Sequence, residues 1–383
     1  MLNRTNKTST SLALCALLGL TISSASFANR LWEKPEPAAQ IDVVIALDVS
    51  GSMEGLIASA KQRLWDIVNQ MERAQPKPDL RISIVTYGNP EYGEQTGFVK
   101  IDLPFTRDLD AVNQTLFSFD TNGGDEYVAR AVSTSVNNLP WSTDESALRV
   151  LFVAGNEGAN QDPQLSVQQA TQLANSKGIV VNTIYCGSSN DSDAAGWRDV
   201  ASMTNGLYAS INQDSAAVAN IATPMDVKLT ALNQELNDTY VAFGEAGVRS
   251  QAIQIEQDKN AGAMSPSAAA SRTVTKAGRL YDTSDWDLVA AVGSGKALEE
   301  VEVENLPEPM KDMDDEEREE FVAEKAEKRK ELQAEIQELA RDRRAYIDNE
   351  RKKQSATAPK GLDEVIQEGL KSLAEQKGFT FED

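Results

Sequence analysis

Apolar and polar positions follow two rhythms along this chain. Between residues 41 and 223, near-continuous runs rich in Val and Ile alternate with segments whose apolar residues recur at three- and four-residue spacing. The runs predict strands at 41–47 (IDVVIAL), 81–87 (RISIVTY), 98–103 (FVKIDL), 147–155 (ALRVLFVAG), 178–186 (GIVVNTIYC) and 206–211 (GLYASI). Strands this uniformly apolar belong in sheets covered by helices on both faces. Met53, Leu56, Ile57, Ala60, Leu64, Ile67, Val68 and Met71 share one face of a predicted helix over 53–73. Asp162-Pro163 reads as the start of another helix and Gly178 as its end. The linker NPEYGEQTG (89–97) is too short for a crossover helix, so the strands beside it are expected to form an antiparallel hairpin. The pattern predicts an α/β fold, a doubly wound and mostly parallel sheet, over 41–223.

The rhythm changes near residue 224. Residues 224–305 show short helical pieces without strand–helix alternation and are expected to be a mainly helical connecting region. Residues 306–383 predict a long charged helix and a short C-terminal one. Across 313–353 a thin apolar stripe (Val322, Leu332, Ile336, Leu339, Tyr346) approaches heptad spacing, interrupted by Lys325, Arg329 and Arg343. Pairs such as Glu324–Lys328 suit an exposed helix, so the segment is expected to be a solvated arm, with a self-associating coiled coil as the alternative. TAPKG (357–361) breaks it. Leu362, Val365, Ile366, Leu370 and Leu373 then share one face of the last helix, expected to dock on the arm or on the main domain.

Composition narrows the chemistry. The chain carries a net charge of −22, which disfavours nucleic acid and anionic membranes as partners. It contains no histidine. Ser-His-Asp triads, Cys-His pairs and His-bound zinc are therefore excluded, leaving carboxylates, hydroxyls, lysines and oxygen-bound metals. Arg4 and Lys7, the apolar SLALCALLGLTI (11–22) and the small residue Ala28 read as a signal peptide over 1–28, too short in its apolar part to span a bilayer. A periplasmic or secreted location is the expectation, with no transmembrane segment in the mature chain. Removing 1–28 leaves Cys186 as the one cysteine, so no internal disulfide is available.

The first strand runs into DVSGSM (48–53), which places Asp48, Ser50 and Ser52 at its carboxyl end, where open α/β sheets bind ligands. A serine nucleophile lacks a base within reach there. A phosphate cradle lacks glycines, and Asp48 would repel the anion. A divalent cation fits the oxygen donors, Mg²⁺ before Ca²⁺ or Mn²⁺. The positive end of the following helix opposes a cation, so further carboxylates are needed. TNGGDEYVARAV (121–132) offers Asp125 and Glu126 at a second turn-to-helix junction.

DVSGSM within this β-α pattern resembles the von Willebrand factor type A (vWA) domain over roughly 41–223. The resemblance implies a metal-ion-dependent adhesion site (MIDAS): D-x-S-x-S, a second-loop threonine and a third-loop aspartate, with an acidic side chain of a protein partner completing the shell. Two departures stand out. Asp125, or by helix phase Glu126, stands where the threonine is expected. Gly155, in GNEG (155–158), stands where the aspartate is expected, with Asn156 or Glu157 as substitutes. The whole set is similar to a group of secreted bacterial vWA proteins. The expected metal set is thus Asp48, Ser50, Ser52, Asp125, Glu126 and Glu157. An extra carboxylate makes the cation less electrophilic, so a partly structural metal and weaker partner capture are expected. A non-enzymatic interaction module is the leading expectation; a structural oligomer and a metal-dependent hydrolase are the alternatives.

Overall fold

The computed structural model describes residues 39–211, 221–353 and 362–381. The signal-peptide reading over 1–28 and the TAPKG break lie outside the described residues. Six strands form one sheet: β1 (Gln40–Asp48), β2 (Asp79–Tyr87), β3 (Val99–Thr106), β4 (Leu148–Gly155), β5 (Val180–Cys186) and β6 (Tyr208–Ile211). Their spatial order is β3-β2-β1-β4-β5-β6. All neighbours are parallel except β2 and β3, which are antiparallel, as the short linker between them requires. All six strands overlap the apolar runs; the central four, β1, β2, β4 and β5, are mostly buried on both faces and leave a near-continuous hydrophobic signature, whereas the edge strands β3 and β6 are only partly buried.

Each face of the sheet has its own core. Val43, Ile45 and Leu47 of β1 point to one side and Val44 and Ala46 to the other. The second side is covered by α3 (Val128–Asn138), α4 (Val167–Ser176) and α5 (Ala194–Ser202). Helix α4 starts later than Asp162-Pro163 suggested. Its N-cap is Ser166, joined with Gln169 in a reciprocal capping box, whereas Asp162 pairs with Arg130 and closes a separate turn onto Gln164 N. Gly178, at φ +64°, follows the end of α4 as anticipated.

The first side is covered by α1 (Glu54–Glu72), α2 (Leu109–Phe117) and, from the far end of the chain, α11 (Leu362–Gln376). Helix α11 lies on α1, β4 and β5, with Leu362, Ile366 and Leu370 each 1% exposed. Gly369 permits this approach: a Cβ there would sit 3.3 Å from the Phe152 ring. The C-terminal helix therefore docks on the main domain and completes one face of its core.

The intervening helices α6 (Asp226–Asn237), α7 (Gly244–Met264), α8 (Pro266–Lys276) and α9 (Leu288–Gly293) form a further layer, with α8 on α1 and α7 on α2. Inside it, Arg272 bridges Asp110 (2.6 Å) and Asp258 (3.0 Å), and Lys276 bonds Asp258 (2.8 Å). Helix α10 (Asp315–Lys353) is not a free arm. Val322, Leu332 and Ile336 are buried within this chain, against α6, α8 and α9. Arg329 and Arg343, which break the heptad pattern, are the anchors of the helix. Arg329 binds Asp287 (2.5 Å) and Thr239 (3.0 Å), and Arg343 binds Asp226 (2.9 Å) and Ser267 (2.7 Å). The stripe expected to support self-association through 313–353 is thus occupied internally. The described residues from 39 onward constitute a single contact unit.

Candidate functional site

Strand β1 ends at Asp48, opposite Tyr87 of β2. The chain then turns sharply. Asp48 Oδ1 accepts from Ser50 N (2.8 Å), and Val49 N donates to Tyr87 O (2.9 Å). This turn places Ser50 Oγ 3.3 Å from Ser52 Oγ before α1 begins. Gly88 closes the floor. It has φ +83°, and a Cβ on it would lie 2.8 Å from Asp48 Oδ1 and 3.2 Å from Glu126 Cγ. Only glycine accommodates both the backbone conformation and the space.

The second loop is tied to the first by Asn122 N donating to Val49 O (2.9 Å). Two residues before α3, Glu126 turns inward and is 6% exposed. Asp125 is exposed and interacts with the Tyr127 hydroxyl. The structure therefore brings Glu126, and not Asp125, into direct contact with Asp48 and Ser50. Burial and the adjacent Asp48 carboxyl push the Glu126 carboxyl up to about 9. Burial likewise raises Asp48. Asp48 Oδ2 and Glu126 Oε2 are enclosed and have no hydrogen-bond partner. Two adjacent buried carboxylates without a counter-charge are costly, and a cation or a shared proton relieves the cost. With two serine hydroxyls beside them, these oxygens suit a hard divalent cation. The described residues contain no cluster of three or more His, Cys, Asp or Glu placed to hold a metal, so a metal here relies on hydroxyl oxygens as well as the two carboxylates.

The third loop shows why Gly155 stands in place of an acid. A Cβ at Gly155 would lie 2.4 Å from Tyr87 Oη, 3.1 Å from Asp48 Oδ2 and 3.1 Å from Trp197 Cη2. Tyr87 fills that space, fully buried, and donates its hydroxyl proton to Ala154 O (2.8 Å). Asn156 Nδ2 donates to Ser52 Oγ (3.0 Å), so Asn156 is the third-loop side chain that touches the first loop. Glu157 is exposed, accepts from Gln161 Nε2 (3.3 Å), and acts on Asp48 and Glu126 through its charge. Gln161 Oε1 also accepts from Glu126 N (3.4 Å), so it links the second and third loops. Tyr87, Gly88 and Gln161 escaped the sequence reading. For Tyr87-Gly88 a signal existed: the pair ends the strand next to β1, at the same rim as Asp48.

The family model of the von Willebrand factor type A domain matches residues 42–224. No curated protein sequence matches the chain. Among solved structures, proximal thread matrix protein 1 of the mussel byssus is similar over 46% of this chain and 43% of its own, at 12% identity and a TM-score of 0.37. The chain thus spans less than half of that protein's length. Another structure of the mussel protein has a zinc-occupied MIDAS motif. An aerotolerance-related membrane protein from Bacteroides fragilis is similar at 17% identity over 46% of this chain and 94% of its own, with a TM-score of 0.32. The pilus adhesin SpaC from Lactobacillus rhamnosus GG is similar at 13% identity over 47% of this chain and 29% of its own, with a TM-score of 0.36.

Proposed function

Because residues 42–224 form a von Willebrand factor type A domain, we propose that this protein is a periplasmic or secreted interaction module with one divalent-cation site at the rim of its sheet. The observation that carries the reading is the pair of enclosed, unpartnered oxygens, Asp48 Oδ2 and Glu126 Oε2, beside the Ser50 hydroxyl. Asp48, Ser50, Ser52 and Glu126 would hold the ion, with Mg²⁺ favoured and Ca²⁺ or Mn²⁺ sharing its preference for oxygen. When bound, the ion supplies a positive centre that an acidic side chain of a protein partner can engage.

This chain tempers that centre. Two carboxylates balance a divalent charge where one carboxylate and a neutral threonine would leave it partly uncompensated. Asp125 and Glu157, exposed beside the site, add negative potential at the rim. The reading is therefore of a cation that stabilises three loops and recruits its partner only modestly. Interaction rather than catalysis is supported by the lack of histidine, which rules out the common serine–histidine arrangements.

Calorimetric titration of the full chain with Mg²⁺ and with Ca²⁺ tests the site. One binding event is expected, weakened at least tenfold by Glu126→Gln and abolished by Asp48→Ala. No binding to the wild type, or unchanged binding after Asp48→Ala, removes the proposal. Pull-down from envelope extract with and without chelator tests the partner, whose capture is expected to fall when the ion is removed.

A further inference from the structure

A cavity of about 590 Å³ lies between α1, α8, α10 and α11. It is at the C-terminal half of α1, whereas the cation site sits just before the N-terminus of that helix. Seven arginines line it: Arg63, Arg73, Arg279, Arg341, Arg343, Arg344 and Arg351. The carboxylates there are Asp66, Glu72, Asp348 and Glu364. A surplus of cations in one half-open cleft runs against a chain whose net charge is −22.

The arginines divide into two groups. Five are engaged by the protein itself. Arg63 meets Asp66 (3.3 Å) and Asp363 (3.7 Å), Arg279 meets Glu72 (3.1 Å), and Arg351 meets Glu364 (3.5 Å) and Asp363 (3.7 Å). Arg343 is held by Asp226, and Arg73 donates to Gln70. Arg341 and Arg344 have no hydrogen-bond or ion-pair partner among the described residues. Arg344 is nevertheless half-buried. The two sit three residues apart on α10, so they share a face of the helix. A guanidinium fork that is partly desolvated and unpaired is primed for a carboxylate or phosphate, which it binds through two parallel hydrogen bonds. The volume falls within the range of small-molecule sites, about 300–1,000 Å³.

We propose that this cavity binds a compact polyanion, a molecule bearing two or more phosphate or carboxylate groups, with Arg341 and Arg344 as its direct contacts. The engaged arginines supply a positive field around it. Asp66, Glu72 and Glu364 orient those arginines and limit the field, so a ligand with a single negative charge gains little there. The site is independent of the divalent cation, since none of its lining residues belongs to the loops around Asp48.

Calorimetric titration of the full chain with inorganic pyrophosphate, and separately with citrate, tests this in buffer freed of divalent metals over a chelating resin. Removing the metal prevents a metal–pyrophosphate complex from reporting on the cation site instead, and leaves no soluble polycarboxylate to compete with the probes. Submillimolar binding of at least one probe is expected at physiological salt. Arg341→Gln/Arg344→Gln is expected to weaken it at least tenfold without lowering the unfolding temperature, because neither side chain holds a structural partner. Arg249→Gln, an exposed arginine paired with Glu245 outside the cavity, is expected to retain wild-type affinity. So is Asp48→Ala. Binding of pyrophosphate alone assigns the site to phosphates, and binding of both probes assigns it to polyanions in general. The proposal is overturned if neither probe binds, if the double variant binds as the wild type does, or if Asp48→Ala abolishes the signal.

Discussion

Placing an acid at Gly155 should harm this protein, although acid is what the domain family leads one to expect there. The first atom of the new side chain, Cβ, would lie 2.4 Å from Tyr87 Oη and 3.1 Å from both Asp48 Oδ2 and Trp197 Cη2. All three neighbours are buried. Overpacking of this kind costs about 1–3 kcal/mol. Gly155→Asp also sets a third carboxylate beside Asp48 and Glu126, and a like charge about 4 Å away adds a cost of about 4 kcal/mol at the effective dielectric of such sites. Together the substitution should cost about 5–7 kcal/mol. Unfolding entropy of about 2.1 cal/mol/K per residue over about 345 residues converts this into a fall of roughly 7–10 °C in Tm. Gly155→Ala isolates the steric part and should cost about 1–3 kcal/mol. Thermal unfolding, followed by fluorescence of the buried Trp65 and Trp197, measures both. Tyr87→Phe removes the clashing oxygen, so the Gly155→Ala penalty should shrink in that background, a coupling that a double-mutant cycle reads directly. Gly155→Asp with wild-type Tm and tighter Mg²⁺ binding would refute the claim that Tyr87 occupies the acid's place. So would a Gly155→Ala penalty indifferent to Tyr87→Phe.

Two further outcomes follow from the packing and the buried charges. Leu370→Ala on α11 empties a site that is 1% exposed and should cost about 2.7–5 kcal/mol, measured as a lowered urea midpoint. Deleting 362–383 should abolish the single cooperative transition, and a truncated chain that unfolds like the full one would show α11 to be dispensable. For pH, burial pulls Lys276 down to about 8, against the opposing charge of Asp258. Between that value and the unfolded one near 10.4, the unfolded chain binds the extra proton, so this residue makes stability rise with pH. Burial pushes Asp258 up, but Lys276 and Arg272 outweigh it and hold the carboxyl well below its usual range. Its contribution is present above about pH 4 and lost as the pH falls further. Urea midpoints of wild type and Lys276→Met between pH 7 and 10 should diverge, the wild type gaining relative to the variant; parallel curves would contradict the assignment.

The strands and the Asp48 turn were legible because their signals are local. A strand covered on both faces is an apolar run, and D-x-S-x-S sits within five residues of one turn. The choice between Asp125 and Glu126 stayed open in the sequence, because both precede the helix that starts at Val128. What remained hidden depends on residues far apart in sequence. Arg329 and Arg343 looked like interruptions of a seam, because periodicity counts charges as exposed. Their partners, Asp287 and Asp226, lie 42 and 117 residues away. The role of Gly155 depends on a tyrosine two strands over in the sheet, on β2, beyond β1. The last helix displayed its apolar face plainly, yet nothing in its pattern identified the surface that receives it.

That last helix also bears on how the protein folds. Arg63 of α1 meets Asp363 of α11 across 300 residues of intervening chain. Until α11 docks, the side of the sheet that it shares with α1 and α2 lacks part of its cover, and the folding chain exposes apolar surface there. Long-range closure of this kind slows folding and prolongs the need for a chaperone's protection. The interior is therefore finished by a segment distant in sequence from the strands it covers.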